Sequence, residues 1–232
     1  MKLMGLQKLT MLDYPGKLAC TVFTGGCNFR CPFCHNAGLV LPDQLREGEI
    51  MPEEAFFDFL RSRKGRLEGV AVTGGEPLLQ PDIRSFIERI RSLGFPVKLD
   101  TNGSFPEKLI ELVTAGLVDY VAMDIKNSPA KYARTVAIDG FDLSPVRESV
   151  AFLLENRVPY EFRTTVIAGC HTDDDFRAIG EWIGGAERYY LQNFVDSGNL
   201  ICPDTVGVDE DSLRRFAAIA SPFVRLCEVR GI

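Results

Sequence analysis

The sequence predicts an α/β fold, a parallel sheet of six β/α units left open as a partial barrel in a single domain, with a doubly wound sheet as the alternative. Three observations predict it. Strand-like and helix-like segments alternate from residue 18 to the end. Their connections are short, which implies right-handed crossovers and parallel strands. Six such steps fall short of the eight that close a full barrel, and 232 residues are too few for eight of normal size.

The elements follow in order. Residues 1–17 are an N-terminal extension, in which "LQKLTMLDYPG" reads as a short strand turning at Pro15-Gly16 to pair with the next. "LACTVFT" (18–24) is β-branched and aromatic and ends in Gly25-Gly26, as a buried strand would. Residues 35–51 read as a loop. "PEEAFFDFLRSR" is a helix with Pro52 at its first turn and acids after it. "GVAVTGGEP" is a strand with a glycine-rich exit, and "PDIRSFIERIRSLG" a helix closed by Gly94. "PVKLDTNG" and "LVDYVAMDIK" are strands flanking a helix "PEKLIELVTAG" closed by Gly116. "SPVRESVAFLLENR" is a helix capped by Ser144 with Pro145 in its first turn. "PYEFRTTVI", "RYYLQNF" and "FVRLCEVR" are the remaining strands. Between them lie helices "DDDFRAIGEWI", whose acids form a solvated start, and "DEDSLRRFAAIA".

Composition narrows the function. Hydrophobic residues make up 46% and charged residues 25%, ordinary for a globular chain. The net charge is -6 and no basic block stands out, so nucleic acid is not an expected partner. The apolar runs are strand-sized, so no membrane span is expected. The N-terminus lacks an apolar core followed by a small-residue cleavage site, so the expected location is cytoplasmic. Seven cysteines, three of them clustered, then argue for reduced thiols and a metal site rather than disulfides. Cys20, Cys170, Cys202 and Cys227 read as small packing residues.

Sites in parallel α/β folds form at the carboxyl ends of strands, and those ends carry the polar residues here. After the first strand come Cys27, Cys31 and Cys34, spaced C-x3-C-x2-C, with Phe33 before the last. Three thiolates can hold three irons of a 4Fe–4S cluster and leave the fourth open. A zinc site completed by His35 or His171 is the alternative, although zinc sites usually pair two ligand groups. The next ends are "TGGEP" (73–77), "LDTNG" (99–103), "MDIK" (123–126), Arg163 and "LQNF" (191–194). Period-two alternation puts Asp100 with Asn102, Asp124 with Lys126, and Arg163 with Glu161 and Thr165. An Asp–Lys ion pair and an Arg163–Glu161 pair are the purely structural readings of these residues.

C-x3-C-x2-C with an aromatic before its last cysteine, followed by Gly74-Gly75-Glu76-Pro77 in a β/α pattern, resembles the radical S-adenosylmethionine (radical SAM) family. That resemblance implies a 4Fe–4S cluster on Cys27, Cys31 and Cys34, with S-adenosylmethionine chelating the open iron. It places Phe33, Gly74, Gly75, Glu76, Asn102, Lys126, Arg163 and Gln192 around the cosubstrate, with Arg163 on its methionine carboxylate and Phe194 beside adenine. It implies a monovalent cation near Asp100, Thr101 and Asp124. "LTMLDYPGKLACTVFTGGCNFRCPFCHN", "MDIK" and "CEVRG" resemble the glycyl-radical-enzyme activating subgroup, closest to proteins that activate anaerobic ribonucleoside-triphosphate reductase. The implied partners are such a glycyl radical enzyme and a flavodoxin or ferredoxin electron donor. A short chain of six units leaves a lateral opening for a polypeptide loop. The rival readings are a radical SAM enzyme acting on a small molecule, of the 7-carboxy-7-deazaguanine synthase type, and a non-catalytic metal-binding protein. Residues Gly198 to Asp204 ("GNLICPD") match no pattern of the family.

Overall fold

The computed structural model describes residues 1–231 apart from 35, 42, 44, 46–49, 197, 199 and 203. One eight-stranded sheet runs in chain order: β1 (Leu3–Thr10), β2 (Ala19–Thr24), β3 (Gly69–Gly74), β4 (Val97–Thr101), β5 (Tyr120–Asp124), β6 (Tyr160–Val166), β7 (Tyr189–Asn193) and β8 (Cys227–Arg230). β1 is antiparallel to β2, and every later pair is parallel. A doubly wound sheet would reverse its strand order at a switch point. This order never reverses, and β1 and β8 are its edges, so the barrel is partial and open.

The helices are α1 (Ala37–Val40), α2 (Glu53–Ser62), α3 (Ile83–Ser92), α4 (Pro106–Thr114), α5 (Tyr132–Val136), α6 (Ser144–Leu154), α7 (Asp173–Trp182) and α8 (Glu210–Ala220). Their apolar stripes pack on one side of the strands. Phe56, Phe57 and Leu60 of α2 meet Phe86, Ile87 and Ile90 of α3, all buried, with the Phe56 and Phe86 rings stacked 5.3 Å apart. Each such side chain contributes about 1.5–3 kcal/mol by leaving water. Val70, Val72, Val97, Leu99, Val121 and Met123 are the buried strand residues of that layer. The alternate strand positions carry Lys98, Asp100, Asp124, Glu161 and Arg163; Lys98 pairs with Asp100 along its own strand, and the others meet charged partners across the sheet.

The extension does more than pair. Tyr14 sits against the starts of the strands: its ring is 6.2 Å from that of Tyr120, and a Cβ on Gly69 would come within 2.9 Å of it. Asp13 accepts a hydrogen bond from Thr21 Oγ1 at 2.6 Å. Asp13 and Thr21 also line the main cavity, so the extension forms part of its wall.

Three local expectations are corrected. Within 35–51, Ala37–Val40 is helical rather than loop; one turn is too short to leave a 3.6-residue signature, and burial of Ala37 and Val40 fixes it. Ser144 is the first residue of α6 rather than its cap, and its N–H donates to Asp142 Oδ1 at 2.9 Å. The acids opening α7 are not all solvated. Asp175 is buried, where it closes a capping box with Thr172 and accepts from Ser128 Oγ at 2.7 Å.

Candidate active site

The loop from β2 into α1 carries the three cysteines. Cys31 is buried, and Cys27 and Cys34 are partly so. Burial pushes the Cys27 thiol up to about 11 and the Cys31 thiol up to about 12, the latter opposed first by Lys126. Such thiols become thiolates when a metal supplies the compensating charge. The loop is fixed by its own backbone: Arg30 Nη1 donates to the carbonyls of Cys27 (2.6 Å) and Phe29 (2.8 Å), and Arg30 N–H donates to Val136 O at 2.9 Å. Segment 201–202 binds its far side, with N–H groups donating to Cys34 O (3.2 Å) and Pro32 O (2.8 Å). That is the position of Ile201 and Cys202 within the motif that matched nothing; residues 199 and 203 of it lie outside the described residues.

Gly74 and Gly75 are glycines because backbone lies where a side chain would go. A Cβ on Gly74, at φ +127°, would fall 2.3 Å from Thr24 N, and one on Gly75 would fall 2.1 Å from Gly26 O. The closeness lets Gly75 N–H donate to Thr24 O (2.9 Å) and Glu76 N–H to Gly26 O (2.8 Å), locking the β3 exit onto the cysteine loop.

These exits enclose a cavity of about 290 Å3. The cysteine loop contributes Cys27, Cys31, Phe33 and Cys34 to its wall; β3 and β4 contribute Gly74, Gly75, Asp100, Thr101 and Asn102. The later strands contribute Asp124, Lys126, Arg163 and Gln192. Every residue expected around the cosubstrate or cation is therefore gathered in one place, with two exceptions. Phe194 is buried in the apolar core. Glu76 is fully buried and faces the protein: Oε1 accepts from Leu78 N–H (2.9 Å) and Thr101 Oγ1 (2.9 Å), and Oε2 from Asn102 N–H (2.7 Å). It braces the β3 exit against the β4 exit. Burial pushes its carboxyl up to about 7 despite those three donors.

The charges alternate in a row across the strands. Lys98 pairs with Asp100, Asp100 with Arg163 Nη1 (3.2 Å), Arg163 with Asp124 (3.0 Å), and Asp124 with Lys126 (2.9 Å). Burial works against ionised Asp124, but Arg163 and Lys126 outweigh it and hold its carboxyl well below the usual range. Neither structural alternative survives intact: Asp124–Lys126 is an ion pair, yet it lines the cavity, and Arg163 spans Asp100 and Asp124 instead of Glu161. Glu161 is taken by Arg230, whose two Nη atoms lie 2.9 and 3.0 Å from its oxygens, and by Tyr120 OH at 3.0 Å. The carboxylates expected to hold a monovalent cation thus already carry arginine and lysine partners.

Asn102 is also held from within the protein. Its Nδ2 donates to Asn28 Oδ1 at 3.0 Å and lies 3.9 Å from Cys27 Sγ, while its Oδ1 accepts from Ser104 Oγ at 2.6 Å. Zinc ligation by His171 is excluded by its contacts, since both ring nitrogens face backbone groups of β5 and β6 exits. His35 lies outside the described residues. Among the described residues no three His, Cys, Asp or Glu side chains converge on a single-ion position, and no helix is long and apolar enough to cross a membrane. Lys98, Arg30 and Arg230 are not legible as site residues in the sequence: Lys98 offers only its place two residues before Asp100 on the same strand face, and Arg230 only its place in "CEVRG".

An open parallel barrel with three thiols on its first loop and a charged cavity at its strand exits defines a class of enzyme. Residues 21–183 match the radical SAM superfamily, and the chain belongs to it. Membership brings a 4Fe–4S cluster and S-adenosylmethionine. The residues present fit both: three thiols stand on one loop, the glycine exit admits no side chain, and Lys126 and Arg163 face the cavity with N–H donors that suit a carboxylate. A protein of Methanocaldococcus jannaschii provisionally named glycyl-radical enzyme activating enzyme is 35% identical over 236 residues, 98% of this chain and 95% of that one. Pyruvate formate-lyase-activating enzyme of Staphylococcus aureus is 27% identical over 200 residues, 79% of this chain and 75% of that one. The 7-carboxy-7-deazaguanine synthase of Thermococcus kodakarensis matches less, 29% over 123 residues, 46% of this chain and 48% of that one. Among solved structures, SuiB of Streptococcus suis bound to its precursor peptide SuiA superposes with a TM-score of 0.69 at 14% identity, over 91% of this chain and 48% of that one.

Proposed function

We propose that this enzyme installs a glycyl radical on a partner protein, an anaerobic ribonucleoside-triphosphate reductase. One observation carries the reading. A further opening of about 190 Å3 lies at the exits of β6 to β8, bounded by Thr165, Gln192, Arg230 and Gly231, and Thr165 and Gln192 also line the main cavity. The two openings adjoin at those side chains, beside the unclosed sheet edge, which supports approach by a polypeptide loop. The likeness over nearly the whole length of the Methanocaldococcus protein supports the activating class. The choice of reductase rests on the cysteine loop, the Asp13–Gly16 stretch and the terminal "CEVRG".

With cluster and cosubstrate bound and one electron from a flavodoxin- or ferredoxin-type donor, such a site would supply reductive cleavage of S-adenosylmethionine and, through it, the means to take a hydrogen atom from a glycine Cα. The chain's residues hold and orient. Cys27, Cys31 and Cys34 ligate; Gly74 and Gly75 let backbone approach; Lys126 and Arg163 offer donors to a carboxylate; Phe33 and Gln192 bound the nucleoside end. No side chain needs to move a proton, so catalysis here is orientation and exclusion of water. A monovalent cation at Asp100, Thr101 and Asp124 would have to share those carboxylates with Arg163.

The test mixes reduced enzyme, S-adenosylmethionine and the reductase without oxygen. A doublet electron paramagnetic resonance signal that collapses when the partner glycine carries deuterium at Cα supports activation. Turnover of a small molecule with no such signal from any glycyl radical protein of the same cell would favour the synthase-like reading, which the shorter likeness and the enclosed part of the cavity motivate.

A further inference from the structure

The β5–β6 ladder ends where the site begins. Its last contacts are Ile125 N–H to Arg163 O at 2.8 Å and Thr164 Oγ1 to Ile125 O at 2.7 Å. Beyond them, Lys126 and Ile167 are joined through a side chain. The ring of His171 lies between the two exits: Nδ1 faces Ile167 N–H at 3.2 Å, and Nε2 faces Lys126 O at 3.0 Å. A backbone N–H can only donate and a carbonyl can only accept, so a single form fits, the neutral ring protonated at Nε2. The imidazole acts as one extra rung of the ladder, built from a side chain.

The rung is clamped on both flanks. Cys170 O accepts from Asn127 Nδ2 at 3.4 Å. On the other side Asp175 ties Thr172 to the β5 exit, accepting from Ser128 Oγ and pairing with Lys131. His171 itself is only 5% exposed, so both bonds are largely shielded from solvent. The carbonyl it holds belongs to Lys126, the residue whose ammonium lines the cavity and pairs with Asp124 at 2.9 Å; Asp124 in turn holds Arg163. Two side chains proposed to meet the cosubstrate carboxylate thus inherit their position from one buried ring.

We infer that His171 is a positioning residue for S-adenosylmethionine, acting through Lys126; the inference rests on the cosubstrate occupying the main cavity. It touches neither cluster nor cosubstrate. Its loss leaves a buried N–H and a buried carbonyl unpaired and frees the Lys126 backbone. Glutamine, which also carries one acceptor and one donor, restores the rung in part.

The experiment uses anaerobically reconstituted enzyme, with iron content and thermal midpoint recorded for each variant. S-adenosylmethionine binding is read by equilibrium dialysis and by the change it causes in the resonance spectrum of the reduced cluster. His171→Leu is expected to weaken binding roughly tenfold or more at wild-type iron content, and His171→Gln to recover most of the loss. In a Lys126→Met background His171→Leu should cost little further, because the ring acts through that lysine. Should His171→Leu fail to fold, His171→Asn, whose shorter amide reaches one exit at a time, takes its place in the same cycle. Unchanged binding in the folded variant, or full additivity with Lys126→Met, overturns the role of His171 while leaving the family reading intact. Failure of the wild-type enzyme to bind S-adenosylmethionine at all overturns both.

Discussion

Replacing Gly75 with alanine tests how the β3 exit controls the cysteine loop. The new Cβ would lie 2.1 Å from Gly26 O and 2.6 Å from Gly26 C. Carbon and oxygen approach no closer than about 3.3 Å in weak contacts, so one backbone must give by roughly 1 Å. Both atoms belong to main chain, so no flexible side-chain end can absorb the shift. Two hydrogen bonds are lost or stretched, Gly75 N–H to Thr24 O and Glu76 N–H to Gly26 O. At about 1 kcal/mol each, added to about 1–3 kcal/mol for overpacking, the cost is about 3–5 kcal/mol. A domain with about 5–15 kcal/mol to lose stays folded, but the residue after Gly26 is Cys27. The expected outcome is a folded protein by circular dichroism that reconstitutes with much less iron and yields little 5′-deoxyadenosine after dithionite reduction. Gly116→Ala is the control. Its φ is +67°, and nothing lies within 4 Å of its Cβ, so it costs about 1–2 kcal/mol of backbone strain without touching iron content. Wild-type iron and wild-type cleavage in Gly75→Ala would refute the claim that the glycine exit docks the cluster loop.

Alanine at Cys27, Cys31 or Cys34 should abolish the visible absorbance of the reconstituted protein, whereas alanine at Cys20, Cys170, Cys202 or Cys227 should leave iron content near wild type; an essential residue among those four would break the ligand assignment. Arg163→Ala should weaken S-adenosylmethionine binding roughly ten- to hundredfold, and should also lower the thermal midpoint of cosubstrate-free enzyme, because Asp100 and Asp124 lose the cation between them. Arg163→Lys should recover the charge but not both contacts, a split visible as partial recovery of stability with little recovery of affinity. The Glu76 carboxyl, pushed up to about 7 from 4.5 by burial, makes the folded state bind the extra proton between those values. Its contribution to stability is therefore largest below about pH 4.5 and falls by about 3 kcal/mol as pH rises to about 7. Urea midpoints of holoenzyme at pH 5 and pH 8, compared with those of Glu76→Gln, measure the difference, and an identical pH dependence in the two proteins would assign it elsewhere.

The parts of this site that were legible in the sequence are those set by short spacing. Cys27, Cys31 and Cys34 declare themselves within eight residues, and strand alternation puts Asp100 with Asn102 and Asp124 with Lys126. What the sequence could not convey is which groups meet across the sheet. Arg163 reaches Asp100 and Asp124 rather than its strand neighbour Glu161 because Asp124 is its register partner on β5. Arg230 finds Glu161 across 69 residues of sequence. Glu76 reads as a ligand contact because it adjoins two cavity glycines, yet the 3-10 turn at Pro77–Leu79 folds its side chain inward onto the donors of β4. Asp175 reads as solvated because acids surround it, and is buried because the β5 exit folds over it.

The row Lys98, Asp100, Arg163, Asp124, Lys126 explains why charged residues belong in a lumen whose outer layer is apolar. Each anion of the row is shared between two cations, so no charge is buried alone. Arginine is needed at the centre because its fork can span two carboxylates from different strands, and it has more N–H donors than these contacts use. An incoming carboxylate would meet the donors of Arg163 and Lys126 that face the cavity. The same row ties β4, β5 and β6 together at the level of the cavity, so the geometry presented to a ligand is set by the register of the sheet rather than by loops. Variants that conserve each charge but shift its reach, such as Arg163→Lys, are therefore more damaging to binding than their chemistry suggests.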